Sequence, residues 1–213
     1  MSLRRHSKST AAELISKLES DADFVARRQA AEQMRSARAA RIRIEEEVLL
    51  AELRNVGVDV SSCWDLVNSS APYPKAIPIL LRHLRMPYSD VIRDGIARAL
   101  AVPDPAVRAA WPMLVAEYRN APLGMGIVAI GDTIKQNFGA KDGLACALAA
   151  VVTDETLPEL ISLLKERSLG DSRLLLLPAL KKRRKKSKLA AGAILDLASD
   201  PSLREELASW KVR

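Results

Sequence analysis

Seven cations crowd into eight positions toward the C-terminal end: Lys181, Lys182, Arg183, Arg184, Lys185, Lys186 and Lys188, interrupted only by Ser187. Groups at this charge density cannot be buried together, because each would need its own counter-charge. The run therefore predicts a solvent-facing turn between two helices. Its chemistry is that of an anion receptor, for phosphate oxygens, carboxylates of an acidic protein or anionic lipid heads, if it binds anything beyond water and salt. The chain holds 33 Lys and Arg against 26 Asp and Glu, and without these seven the two counts are equal. The net charge of +7 is thus one local patch. A second group, Arg27, Arg28, Arg35, Arg38, Arg41 and Arg43, has Glu32 as the only acid among its members. On a helix Arg27, Arg38 and Arg41 share one broad face, a partial basic stripe whose simplest reading is a solvated surface.

Other reactive side chains are sparse. Asp132, Lys135, Lys141 and Asp142 cluster near a glycine-rich stretch. Such sets do acid–base work when burial shifts them, and otherwise form surface ion pairs, which is the expectation here. Two histidines, His6 and His83, and two cysteines, Cys63 and Cys146, make no metal-ligand spacing and no disulfide framework. Both cysteines have apolar neighbours, which predicts buried free thiols in a reducing, cytoplasmic compartment. Ser61, Ser62 and His83 lack a nucleophile elbow. The segment around Gly124 and Gly126 lacks the strand and the Lys-Ser/Thr pair of a phosphate loop. Trp111 falls on an apolar helix stripe and reads as core, whereas Trp210, in the last helix, reads as a cover for the open end of the array. No cofactor is implied.

The elements that must position these residues are helical. Aromatics are only 4 % of a chain that is 48 % AVILMFWYC, so the apolar content is mostly Ala and Leu, good helix formers. Residues 1–10 read as a mobile tail with no apolar h-region, and no apolar run approaches the length of a membrane span. Helices are predicted over 11–20, 23–54, 63–67, 75–85, 90–101, 106–119, 125–137, 141–152, 157–167, 172–182, 188–197 and 202–211. The signals are 3–4 apolar spacing, caps such as Asp104 and Asp200, and breakers such as Gly57, Pro87 and Gly170. The expected organisation is a tail (1–10), an N-terminal helical segment or cap (11–74) and an array of helix pairs (75–213).

Within that array two helix starts look alike: Asp104-Pro105-Ala106-Val107-Arg108 and Asp200-Pro201-Ser202-Leu203-Arg204. With the recurrence of helix pairs every thirty to forty residues, roughly, this resembles the HEAT-repeat family of α-solenoids over about residues 75–212. The resemblance implies an all-α, α–α superhelix of antiparallel helix pairs. It also implies Asp and Arg ladders near the turns, matched here by Asp104 with Arg108, Asp171 with Arg173, Asp200 with Arg204, and Asp90 with Arg93. Residues 1–60 and 121–140 depart from the repeat. The family includes alkylpurine DNA glycosylases, but no position here corresponds to their site. The reading that follows is a non-enzymatic scaffold for a protein partner, with no catalytic residues assigned. The alternative is a nucleic-acid or polyanion-binding protein that uses the 181–188 run.

Overall fold

The computed structural model describes residues 10–124 and 139–210. The tail, the helix expected over 125–137, and with them His6, Asp132 and Lys135, lie outside the described residues. The described residues hold twelve α-helices and no strand, so the all-α expectation stands. The chain divides into two compact units, one up to Ile44 and one from Glu45.

The first unit holds α1 (Ala11–Ser20) and the start of α2 (Ala22–Asn55). Thr10 and Glu13 form a capping box at the start of α1: the Glu13 amide donates to Thr10 Oγ1 at 3.3 Å, and the Thr10 amide to Glu13 Oε2 at 2.9 Å. Asp21 accepts from the amides of Asp23 and Phe24 and so opens α2. With no Gly or Pro inside, α2 runs 34 residues, about 51 Å at 1.5 Å per residue. It ends at Gly57, whose φ of +83° suits a residue without a Cβ and lets the Val58 amide turn back to the Leu53 carbonyl.

The second unit is built around one buried helix. In order it contains the end of α2, α3 (Cys63–Val67), a 3₁₀ turn (Pro74–Ala76), α4 (Ile77–His83), α5 (Asp90–Ala99), α6 (Pro105–Ala109), α7 (Trp111–Asn120), α8 (Ala140–Val151) and α9 (Leu157–Lys165). A 3₁₀ segment (Arg167–Leu176), α10 (Leu177–Arg183), α11 (Lys188–Leu197) and α12 (Arg204–Ser209) complete it. Helix α8 packs against α5, α7, α10 and the 3₁₀ segment. Its sequence, AKDGLACALAAV, is rich in small residues, and nine of its twelve positions are buried. The approach to α5 is close: a Cβ on Gly143 would sit 2.7 Å from the Asp94 carbonyl oxygen and 2.9 Å from the Ala97 Cβ.

Proline accounts for where several helices differ from the periodicity. The helix expected over 106–119 is two, α6 and α7, broken at Ala110 because Pro112 has no N–H to continue the ladder. The stretch 172–182 is a 3₁₀ segment followed by α10, which starts one residue before Pro178. An apolar–Pro–x–Leu start recurs at Ile77-Pro78, Trp111-Pro112, Leu157-Pro158 and Leu177-Pro178. In all four the first residue and the Leu three positions on are buried. Proline is tolerated in the first turn, where its missing N–H has no partner to lose, and the two apolar residues share one face.

Candidate binding surface

The basic run spans the junction of α10 and α11. Lys181, Lys182 and Arg183 form the last turn of α10, where cations are favoured by the exposed carbonyls of a helix C-terminus. The chain then turns through residues 184–186, held by the Lys186 and Ser187 amides, both 2.9 Å from the Arg183 carbonyl. Ser187 caps α11 by accepting from the Ala190 amide at 3.2 Å. Lys188 is the first residue of α11.

Two of the seven cations serve the fold. Arg183 folds back to donate to the Ala179 and Val152 carbonyls and lies 3.8 Å from an Asp154 carboxylate oxygen. Lys181 places its ammonium 4.9 Å from the centre of the Trp210 ring. That ring is buried and donates its N–H to Glu206 at 2.7 Å. Lys182, Arg184, Lys185, Lys186 and Lys188 pair with no carboxylate among the described residues. The turn is therefore anchored from within and presents five cations unpaired among the described residues, of which Arg184 is half-buried. On α11, Leu189 beside them and Leu195 about two turns further on are exposed.

The basic stripe of α2 is solvent-exposed throughout. Arg27 bonds the Asp23 carbonyl, Arg35 pairs with Glu32, and Arg38 and Arg41 have no partner among the described residues. The ladder residues behave individually. Asp104 caps α6 through the Ala106 amide at 2.7 Å, while the Arg108 side chain is exposed and unpaired among the described residues. Asp171 is exposed and does not reach Arg173. Arg173 instead is fully buried and crosses to Asp200, with N–O distances of 3.0 and 3.5 Å. Its Nη1 and Nε also donate to the Leu164 and Gly170 carbonyls. Asp200 also accepts from the Ser202 amide and from Arg167, so Arg204, the partner expected for it, is left exposed. The Arg173 guanidinium is the main reason Asp200 is held below the usual carboxylate range. Asp90 accepts from the Ala140 amide, and Arg93 pairs with Glu117 at 2.7 Å.

Lys141 and Asp142 correct the expectation of surface ion pairs. Both are buried, because the N-terminal half of α8 is enclosed, while its one half-open stripe, Cys146, Ala149 and Ala150, lies further along. Lys141 donates to the Tyr118 carbonyl at 2.9 Å, at the C-terminal end of α7, where carbonyls lack helical partners. Burial pulls its ammonium down and pushes the Asp142 carboxyl up, although Asp142 accepts from the Gly139 amide at 2.9 Å. Asp94 on α5 is pushed up to about 6 by burial, against the opposing pull of Arg98 at 2.9 Å. Tyr118, raised to about 12 by burial, shares a 2.9 Å hydrogen bond with Ser172. These polar groups satisfy one another and backbone groups, and the cleft beside Lys141 and Asp142 has a volume of only about 90 Å³.

Ser62 caps α3 and donates to Glu46 at 3.0 Å, while His83 meets Tyr88 at 2.7 Å and Glu52 at 3.0 Å. Ser62 and His83 are thus engaged in the fold, while Ser61 is exposed and only its amide is bonded, to Asp65. Among the described residues no group of three His, Cys, Asp or Glu is placed to hold a metal ion, and no helix is long and apolar enough to cross a membrane. Cys63 is buried and Cys146 half-buried, both as free thiols. A larger groove of about 410 Å³ lies between residues 66–77 and 98–104, walled by Leu66, Pro72, Tyr73, Ile77, Val102 and Pro103. Sequence reading missed it, since its prolines register only as turn formers. Comparison with protein-family models, with curated proteins and with solved structures gave no match.

Proposed function

We propose that this chain is a non-enzymatic helical scaffold that holds an acidic, amphipathic segment of a protein partner on the α10–α11 junction. The observation that carries this reading is the anchored junction with five cations unpaired among the described residues, beside exposed Leu189 and with Leu195 exposed about two turns further along α11. Carboxylates would meet the cations, and apolar side chains of the same segment would cover Leu189 and Leu195. A HEAT-like superhelix over residues 75–213 is part of the proposal. Its support is the recurring apolar–Pro–x–Leu start and the Arg173–Asp200 pair, which ties segments 27 residues apart. The free thiols support a reducing, cytoplasmic setting.

A second reading is binding to the phosphate backbone of nucleic acid, favoured by the density of cations between Lys182 and Lys188. Fluorescence anisotropy separates the two. The probes are an acidic peptide with interspersed leucines and a duplex DNA, each at low and near-physiological salt. The variant replaces Lys182, Arg184, Lys185 and Lys186 with Ser and spares the structural Arg183. Peptide binding weakened about tenfold or more in the variant, yet retained near physiological salt in the wild type, supports the scaffold. Duplex binding tighter than about 0.1 mM at physiological salt, with no peptide binding, transfers the function to nucleic acid. No binding of either probe rejects both.

A further inference from the structure

Helix α2 is apolar on two opposite sides. One side, with Leu49 and Leu53 fully buried, belongs to the core of the second unit. On the other side Ala30, Met34, Ala37, Ile44, Val48 and Ala51, with Arg41 among them, recur at alternating intervals of four and three residues. All of them are exposed, Met34 at 65 %, Ile44 at 74 % and Val48 at 59 %. Alternating four and three spacing is the seam of a two-stranded coiled coil. Neither α1 nor α2 up to Ile44 has a buried residue. Helices without tertiary packing are marginal in water, so this stretch lacks within one chain the contacts that would hold it helical.

Charge selects the occupant and its direction. Between residues 27 and 43 there are six Arg and one Glu; Glu45 and Glu47 follow, whereas Glu46, buried against Ser62 and Cys63, and Glu52, paired with Arg82 and His83, serve the second unit. Two parallel copies would set Arg beside Arg and Glu beside Glu. Two antiparallel copies set the basic half of each along the acidic half of the other. The spacing is self-complementary in that direction too. One register opposes Met34 to Ala51, Ala37 to Val48 and Arg41 to Ile44, and each layer recurs symmetrically. We propose that α2 pairs through this stripe with α2 of a second copy of the chain, antiparallel and in that register. Arg38 and Arg41 of each copy then run beside Glu45 and Glu47 of the other.

Sedimentation velocity over a range of concentrations, with cysteine cross-linking, tests the proposal on the full chain. The wild type is expected to dimerise at micromolar concentration. Val48→Glu and Met34→Glu change only exposed positions, each opposite an alanine in this register, and should weaken the dimer at least tenfold, with the helical circular dichroism retained. In cross-linking, a mixture of the Ala37→Cys and Val48→Cys chains should form a disulfide-linked dimer. Neither alone should, because like positions stand about 16 Å apart in this register. The parent chain, with Cys63 and Cys146, is the control. A monomer at all concentrations, or self-cross-linking of Ala37→Cys, which marks a parallel pair, overturns the proposal.

Discussion

Trp111 shows how a residue type that invites a functional reading is absorbed by packing. Its ring is buried at the start of α7, and its N–H donates to Glu159 at 2.6 Å. Trp111→Ala should cost about 3–5 kcal/mol of stability, measured by urea unfolding. A midpoint unchanged from the wild type would place the ring on the surface. Arg173 is the opposite case, a charge made structural. Arg173→Leu leaves Asp200 without its main partner and should cost about 3–5 kcal/mol in the same assay. Asp94 supplies a pH dependence. Its pKa in the fold, about 6, exceeds the usual carboxylate value. Its protonation therefore favours the fold fully at low pH, and that contribution is lost as pH rises through about 6. The stability of Asp94→Asn relative to wild type should thus improve between pH 4 and pH 7. Unfolding midpoints at the two pH values read the difference, and a constant difference would contradict the assignment.

At the scale of elements, two glycines inside helices should respond in opposite ways to one methyl group. Gly192 in α11 faces open space, so Gly192→Ala gains helix propensity and should stabilise by about 0.5–1 kcal/mol. Gly143 in α8 faces the α5 backbone, so Gly143→Ala forces the two helices apart and should destabilise by about 1–3 kcal/mol. Thermal melts of the two variants check both signs. Local signals made much of this level legible. The Asp104 cap, the Gly57 stop and the buried stripe of Val107, Leu114, Val115 and Tyr118 follow from spacing and side-chain chemistry alone. The break at Ala110 was equally local, in Pro112, but the apolar periodicity runs across it and hides it. What stayed hidden depends on the third dimension. Nothing near Arg173 in sequence favours Asp200 over Asp171, and nothing near Lys141 says that the start of α8 is buried. The basic run was legible as a solvent-facing turn, but the commitment of Arg183 to the Val152 carbonyl, 31 residues away, was not.

For the whole molecule, protection should follow burial. Amides of α5 and α8 should exchange hydrogen at the rate of global unfolding, and those of α1 and of α2 before Ile44 far faster in dilute protein. Hydrogen exchange followed by mass spectrometry at two protein concentrations reads this. If α2 pairs with a second copy, its exchange before Ile44 slows at the higher concentration.

The close fit of α5 on α8 also has a consequence during synthesis. Ala97 and Gly143, in near contact in the fold, are 46 residues apart along the chain. At about 5–20 residues per second, a ribosome takes on the order of 2–9 s to make that stretch. For that interval the nascent chain carries the α8-facing side of α5 without its cover, a substrate for any chaperone that binds apolar helices near the ribosome. Slowing translation between residues 100 and 143 would lengthen that exposure and should lower the yield of folded protein without changing a single residue.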